Sequence, residues 1–532
     1  MEDIGSPLQR ARRNYTPKIA LLLEKLHHLA FTSERVEPLS EEIAKVFPYL
    51  LDGERLRAFK GSVKARGPLR IGVVFSGGPA AGGHNIITGL FDALKEMNSE
   101  SRLFGFLNGP MGIVDGKYKE ITEEMLLLYR NQGGFDLIGS GRPKIESEEH
   151  LAKAAAVCKA LDLDGLLMVG GDDSNTNAAV IANYFLSKGC KTRMLTVPKT
   201  IDGDLRCKEV AMTFGFDTAC KTYAEAIGNI ARDAASAGKY YHIIKLMGRS
   251  ASHITLECAL KTHPNFTIIG EEVAAKKQSL RQIVDEIADM VVTRSVIGKD
   301  FGVILLSEGL IEFATDMSEL TREIARLNGS TDISQLSGKA LATYEMLPEK
   351  VARQLFLDPD SHGNPQLSKI STDELLIDLI TKELSARKEK GRYKGAFSPQ
   401  AHFFGYEGRS ALPTNFDANY CYTLGMTAAA VFHEGVSGYL CFAEGLNLPP
   451  SEWKVGATPI APLLHLEERR GKKKAVIKKA LVDLSGKAFQ AFKNKRDGWV
   501  CSDSYLMPGP IQFVGESVLT DSIPISLALE LH

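Results

Sequence analysis

The chain gathers its chemically versatile side chains into two short stretches, Gly170-Gly171-Asp172-Asp173-Ser174-Asn175-Thr176 and Pro198-Lys199-Thr200-Ile201-Asp202-Gly203-Asp204. Each follows an apolar run: residues 163–169 (LDGLLMV) lead into the first and 193–197 (RMLTV) into the second. Such runs, ending in glycine or a charged turn, predict buried strands. Both clusters then sit at strand C-termini. In an open parallel sheet that edge binds ligands, because helix N-termini and loop amides converge there with unpaired donors. Carboxylates crowded where anions would bind require a cation. Mg2+ between a carboxylate and a phosphate meets that need and leaves another acid free to handle a proton.

A third stretch, Ser76 to Asn85 (SGGPAAGGHN), lies between a predicted strand at 69–75 and a helix with apolar residues at Ile86, Ile87, Leu90, Phe91 and Leu94. Glycines such as Gly78 let the backbone approach an oxyanion and present its amides at the helix start. The loop is neither a Walker A motif nor a dinucleotide fingerprint. By itself it reads equally well as a phosphate cradle or a tight strand-to-helix turn. Gly139-Ser140-Gly141-Arg142 supplies more loop and one cation.

The elements that must position these residues alternate. Predicted strands at 240–246, 266–269 and 301–306 stop at Met247-Gly248-Arg249, Gly270-Glu271-Glu272 and Ser307-Glu308-Gly309, and a helical rhythm fills 215–235. Strand, polar tip and helix in repetition predict a doubly wound α/β chain, with two sheet domains facing each other across a cleft. Strand character disappears from 315 to 391, where charged helical patterns surround a loop at 358–365. It returns at 401–405, ahead of Tyr406-Glu407-Gly408-Arg409. The expected plan is an N-terminal helical extension (1–67, with helices at 18–29 and 41–51), a phosphate-donor domain (68–205) and a sugar-phosphate domain (206–314). A helical insertion (315–398) and a return segment (399–532) complete it.

Bulk composition narrows the class. A chain of 532 residues has room for roughly two to four domains. With 44% hydrophobic and 24% charged residues and a net charge of −1, it reads as an ordinary globular protein with no whole-chain attraction to nucleic acid or membrane. Its eight cysteines form no C-x-x-C pair, which favours free thiols in a reducing compartment over disulfides or zinc. No run of about 18 apolar residues occurs, and the N-terminus has no apolar signal core, so the expected location is the cytoplasm. The basic run at 467–479 reads as a solvated helix face, since no aromatic residues interleave with it.

Taken in order, the Gly-Gly-Asp-Asp-Ser-Asn-Thr, Pro-Lys-Thr-Ile-Asp-Gly-Asp, Met-Gly-Arg and Tyr-Glu-Gly-Arg stretches resemble the phosphofructokinase superfamily. Within it the resemblance is to the long pyrophosphate-dependent fructose-6-phosphate 1-phosphotransferases, over about residues 69–312 and 401–445. It implies reversible Mg2+-dependent transfer from pyrophosphate to the 1-hydroxyl of fructose 6-phosphate, giving fructose 1,6-bisphosphate and phosphate. Asp172 would anchor the metal, although the residues alone also allow a helix cap. Asp202 would be the base, oriented by Thr200 and Asp204, where a lone Asp in such a turn would otherwise suggest turn chemistry. Arg249 and Arg409 would hold the acceptor's 6-phosphate, with Gly78, Arg142, Ile201, Met247, Gly248, Tyr406, Glu407 and Gly408 lining the substrate sites. Glu271 and Glu308 are both candidates for the sugar hydroxyls. Lys239 and Tyr240 match positions that reach in from a neighbouring subunit, which implies a homodimer or larger homo-oligomer.

Two positions separate this chain from the ATP-using relatives it resembles: Asp173 and Lys199 stand where those carry glycine. Asp173 would occupy the space of a nucleotide α-phosphate, and Lys199 would stabilise the leaving phosphate of a short donor. The chain departs from the family pattern at Ala81, where proline is usual, and at 398–401, where an arginine is missing; Lys239 of a neighbour is the candidate replacement for that charge. The rival readings are an ATP-dependent 6-phosphofructokinase, a non-catalytic regulatory subunit of the same fold, and a kinase with a Gly-Gly-Asp-Gly turn of the NAD-kinase or lipid-kinase type.

Overall fold

In the computed structural model, the described residues are 5–51, 53–61, 66–327, 330–357, 365, 367, 370–469 and 472–531. The chain divides into two compact units, one of Met1–Ala219, Tyr406–Ala480 and Ile511–Ile523 and the other of Cys220–Gly405, Leu481–Pro510 and Pro524–His532.

The first unit is built on a ten-stranded sheet whose centre is parallel: Tyr439–Glu444, Arg193–Pro198, Gly165–Gly170, Arg70–Ser76 and Arg102–Phe106 in spatial order. Apart from charged residues at some ends, these strands are almost wholly apolar and buried, because both faces are covered. Val74, Met168, Met194 and Leu440 share a core with Ala182 and Phe185 of the helix Asp172–Ser187. The helices Gly83–Met97 and Asn415–Phe432 cross with backbones nearly touching; a Cβ on Gly89 would overlap the Tyr422 carbonyl, and one on Gly425 the Ile86 carbonyl. The glycines permit that approach.

The second unit holds a four-stranded, fully parallel sheet, Phe266–Ile268, Phe301–Ser307, Tyr240–Leu246 and Pro399–Phe404 in spatial order. Ile243, Ile304 and Leu306 pack against Ile287 and Val291 of the helix Leu280–Val296. The helices Thr315–Arg326, Gly338–Met346, Glu349–Leu357 and Thr372–Glu389 occupy the stretch read as an insertion. Of the loop expected at 358–365, residues 358–364 lie outside the described residues. The α/β class and the strand ends that carry each motif agree with the sequence reading.

Two local expectations fail. The N-terminal extension is not all helical: a 3-10 turn at Leu21–His28 precedes the strand Leu29–Glu34, which pairs with Arg55–Lys60 and through it with Lys454–Pro459. A strand partner some 400 residues away cannot be read from local periodicity, and tertiary pairing overrides the helical pattern. The basic run is likewise not a helix but an antiparallel hairpin, Leu464–Arg469 with Lys472–Ile477. Leu464 opposite Ile477 and Leu466 opposite Ala475 form an apolar period of two that the intervening charges conceal.

Candidate active site

The strand Arg193–Pro198 is buried almost throughout and delivers the chain into the 199–204 turn. The Lys199 amide donates to the Gly170 carbonyl at 2.8 Å, which ties the two acid-rich stretches together at their first residues. Thr200 Oγ1 accepts from the Asp202 amide at 3.1 Å and donates to Asp204 Oδ1 at 3.1 Å. One hydroxyl therefore sets both the turn and the orientation of the second acid, and Gly203 supplies the left-handed residue (φ 71°) that the reversal requires. The Lys199 side chain is 9% exposed. Burial pushes its ammonium down to about 8, against the pull of Asp202, Asp172 and Asp204 and with the push of Arg409.

The helix following the paired glycines begins at Asp172, two residues before Ser174, with Gly171 as its N-cap, so neither Asp172 nor Asp173 is the cap. Asp172 and Asp173 thus occupy the first turn, where the helix dipole favours negative charge. Ser174 Oγ donates to Ser76 Oγ at 2.7 Å, and Asn175 Nδ2 donates to the Gly170 and Gly171 carbonyls at 2.9 and 2.6 Å. These bonds lock the glycine loop and the acidic turn into one edge. Burial and the neighbouring Asp173 push the Asp172 carboxyl above the usual carboxylate range, while Lys479 pulls the other way. The Asp173 side chain is 57% exposed and pairs with Lys144 at 2.7 Å.

In the glycine loop, Gly77 (φ 90°) donates its amide to the Gly141 carbonyl at 2.9 Å, and a Cβ there would lie 3.4 Å from Lys199 Nζ. A Cβ on Gly78 would overlap the Arg409 guanidinium, whose Nε lies 3.4 Å from the Pro79 carbonyl. Glycine at 78 therefore makes room for an arginine. Arg409 closes the short helix Tyr406–Arg409, with its guanidinium 5.3 Å from the ring centre of Tyr406, itself 72% exposed; Glu407 is exposed and Gly408 buried. Ile201 is buried, and Arg142 is exposed directly after the short strand Ser140–Gly141, which pairs with the end of Arg70–Ser76.

The second unit arranges its own candidates at strand ends. The Glu308 amide donates to the Leu246 carbonyl at 2.8 Å, and a Cβ on Gly309 would overlap the Arg249 carbonyl, so Met247-Gly248-Arg249 and Glu308-Gly309 lie side by side. Arg249 is exposed, and Gly248 has φ 127°. Glu271 is buried. Its Oε1 accepts from the amides of Ser252 and Val482, each at 3.0 Å, and its Oε2 has no partner among the described residues. Lys239 is exposed with its ammonium 4.9 Å from the ring centre of Tyr240, a residue held at φ 75°.

Three contributors escaped the sequence reading. Lys479 lies 3.5 Å from Asp204 Oδ2, and the amide after it donates to the Asp204 carbonyl at 2.7 Å. It belongs to the run read as a solvated helix. Lys144 offered no motif, and its role is visible only from its ion pair. Ser76 is the strand's last residue and looked like part of a glycine turn.

Asp173 and Asp204 both add negative charge beside the partly desolvated Asp172 carboxyl. A divalent cation would relieve that excess, so the donor set fits Mg2+, which takes one or two carboxylates and completes its shell with substrate phosphates and water. Among the described residues no cluster of three or more His, Cys, Asp or Glu forms a self-sufficient metal cage.

The family model described as "Phosphofructokinase" matches residues 70–432. A pyrophosphate--fructose 6-phosphate 1-phosphotransferase subunit beta 1 of Arabidopsis thaliana is 49% identical over 92% of this chain and 88% of its own length. The pyrophosphate--fructose 6-phosphate 1-phosphotransferase of Porphyromonas gingivalis is 45% identical over 99% of both chains. Among solved structures, a pyrophosphate-dependent phosphofructokinase from Nitrosospira multiformis superposes with a TM-score of 0.55 at 16% identity, covering 87% of this chain and 96% of its own, a likeness of fold.

Proposed function

Because the chain belongs to the phosphofructokinase family, we propose that the 199–204 turn and the helix start at Asp172 carry out its phosphoryl transfer, with each residue in the role given below. The reaction is transfer from pyrophosphate to fructose 6-phosphate, in keeping with relatives of 45–49% identity so named. The observation that carries the site reading is the buried Lys199 ammonium, set among Asp172, Asp202 and Asp204 and against the backbone of Gly77.

Phosphoryl transfer depends mainly on positioning and charge neutralisation. The 68–205 segment takes the donor and 206–314 the sugar phosphate. Lys199 neutralises charge on the donor as the leaving phosphate forms, and Asp202, its turn fixed by Thr200 and Asp204, receives the proton of the 1-hydroxyl. Asp172 would hold Mg2+, which when bound would offset the charge of the donor phosphates. Arg409, Arg249 and Arg142 supply cationic contacts for phosphate groups, while Ile201, Met247, Gly248, Tyr406, Glu407 and Gly408 shape the sites. Between the two glutamates, Glu271 is favoured for a sugar hydroxyl because its Oε2 is buried and unsatisfied.

Asp173 discriminates against ATP. Two unit charges at about 4 Å repel by ~4 kcal/mol at an effective dielectric near 20. The exposure of Asp173 and its pairing with Lys144 reduce that figure, so the volume of the side chain is the larger obstacle. Lys239 and Tyr240, presented on a left-handed turn after Gly238 (φ 63°), complete the sugar-phosphate site of a neighbouring copy in a homo-oligomer. All eight cysteines are free thiols, in keeping with the cytoplasm, and no helix among the described residues is long and apolar enough to cross a membrane.

The test is a coupled assay with fructose 6-phosphate and Mg2+, run with pyrophosphate and with ATP. Turnover with pyrophosphate and little with ATP is expected; preference for ATP, or no turnover, overturns the reading. For the shared site, an inactive Asp202→Ser variant mixed with an inactive Lys239→Ala variant should recover activity, and verified mixed oligomers without activity would exclude it.

A further inference from the structure

Behind the catalytic turn, the first unit contains a buried polar assembly that the mechanism above does not use. Asp417, fully buried on the first turn of the helix Asn415–Phe432, accepts three hydrogen bonds from one short segment. Its Oδ1 takes the Gly215 amide at 2.9 Å, and its Oδ2 takes the Thr218 amide at 2.9 Å and Thr218 Oγ1 at 2.5 Å. Thr218 Oγ1 also accepts from the Thr414 amide at 3.1 Å, and Thr414 Oγ1 donates to Asp217 Oδ2 at 2.8 Å. Three residues on, Tyr420 donates its hydroxyl to the Met212 carbonyl at 3.0 Å. Residues 212–218 are thereby strapped to the end of one helix.

That strap touches the reacting machinery directly. Thr213 Oγ1 donates to the Thr200 carbonyl at 2.7 Å, and Phe214 forms a parallel bridge with Lys199. Gly215, at φ 86°, is the point of closest approach: a Cβ on it would lie 2.7 Å from Ala80 Cβ, 3.2 Å from Ile201 Cγ2 and 3.3 Å from the Ala81 amide. Both the glycine loop and the catalytic turn therefore rest on the residue whose amide Asp417 holds. The Asp417 carbonyl also faces Gly82, the N-cap of the helix Gly83–Met97, where a Cβ would come within 3.3 Å of it.

A carboxylate in such a place is costly. Burial first, and then the nearby Asp217, push the Asp417 carboxyl well above its ordinary range. A neutral side chain would pack the helix end more cheaply, but it takes two acceptor oxygens to receive the Gly215 amide on one and the Thr218 amide on the other, as Asp417 does.

We infer that Asp417 is a positioning residue for phosphoryl transfer: its hydrogen bonds to Gly215 and Thr218 hold the 212–218 strap that sets Asp202 and Lys199 against the glycine loop. This rests on the reading of 199–204 as the catalytic turn. The loss should fall on kcat, because a turn displaced by a fraction of an ångström still binds anions while the base no longer meets the hydroxyl.

The test compares Asp417→Asn, Thr218→Val and Thr218→Ser in the full-length enzyme with a core control at the opposite end of the sheet, Ile460→Ala. Asn keeps the volume of Asp417 but turns one acceptor into a donor facing an amide. Asp417→Asn should lower kcat at least tenfold with KM for both substrates within threefold. Thr218→Val should do the same more weakly, and Thr218→Ser should restore turnover. Ile460→Ala should lower Tm without lowering kcat. Combined with Asp202→Ser, Asp417→Asn should add little further loss, because the group being positioned is gone. If Asp417→Asn does not fold, the Thr218 pair decides. Wild-type kcat in Thr218→Val, a KM effect in place of a kcat effect, or full additivity with Asp202→Ser overturns the inference. Wild-type turnover in Asp202→Ser would instead remove the catalytic-turn reading on which it rests.

Discussion

The strand-end loops of the two units are built on opposite principles. In the first unit, the 199–204 turn is buried, cross-braced by Thr200 and Thr213, and desolvated strongly enough to move the Lys199 ammonium down to about 8 against the pull of the carboxylates around it. In the second, Arg249 and Lys239 are exposed, and the buried Glu271 has half of its carboxylate already committed to backbone amides. Charge that must stabilise a changing phosphate is preorganised and desolvated, where it acts most strongly. Charge that need only hold a constant phosphate can stay solvated. The comparison ranks the candidates: substitutions in the 199–204 turn should act on kcat and those at the second unit's strand ends on KM.

The largest break in that pattern should come from Asp202→Ser. Loss of a general base predicts a fall in kcat of about 10^2-fold or more, with fructose 6-phosphate affinity in equilibrium binding largely unchanged. Near-wild-type turnover in the folded variant would sink the assignment of the base.

On the second unit, Glu271→Gln should raise KM for fructose 6-phosphate by about tenfold, the scale of one lost charge-assisted hydrogen bond. Glu308→Gln should shift it by less than about threefold. Equal effects would show that the unsatisfied Oε2 is not the sugar contact.

Asp173→Gly should move the ratio of kcat/KM for ATP over pyrophosphate upward, and Lys144→Met should sharpen the point. If charge dominates exclusion, removing the partner of Asp173 lowers activity with ATP further; if volume dominates, the ratio barely changes. The exposed 2.7 Å pair favours the second outcome.

The legibility of the chain follows the same division. The strand ends carrying Asp172, Lys199, Met247 and Glu308 were readable because each apolar run ends in glycine or a charged turn, a signal confined to a few neighbouring residues. Lys479 was not, since its approach to Asp204 depends on a hairpin whose apolar alternation is masked by nine charged residues in the 467–479 run. Asp417 was missed because an Asp three residues after Thr414 reads as helix N-terminus chemistry, and its partners lie some 200 residues away. The strand Leu29–Glu34 was hidden because it joins the sheet only through Arg55–Lys60, which itself pairs with Lys454–Pro459 some 400 residues on. Local chemistry was accessible to sequence reasoning, whereas polar contacts made through folding were not.

The smallest expected effect is in pH dependence, and it isolates Lys199. An ordinary lysine near 10.5 stays charged throughout the working range, but here burial brings the group to about 8. In the role proposed for Lys199 the active form is the protonated one, since a neutral amine cannot offset charge on the leaving phosphate. For the free enzyme, kcat/KM for pyrophosphate should therefore be level below about pH 8 and fall toward tenfold per pH unit above it. The bound donor adds negative charge beside the ammonium and raises its pKa, so the corresponding limb in kcat should lie at higher pH. Pyrophosphate titrates as well, which makes the informative quantity a difference: Lys199→Arg keeps the positive charge at all accessible pH values, so the part of the alkaline limb that belongs to Lys199 should vanish in that variant while the part that belongs to the donor remains. The same shift has a sign in stability. Between about pH 8 and 10.5 the folded chain binds fewer protons at this position than the unfolded chain, so unfolding free energy should rise with pH there relative to Lys199→Met. Coincident kcat/KM profiles for wild type and Lys199→Arg would show that the lysine is charged throughout, and the contrast between a desolvated donor site and a solvated acceptor site would lose its strongest member.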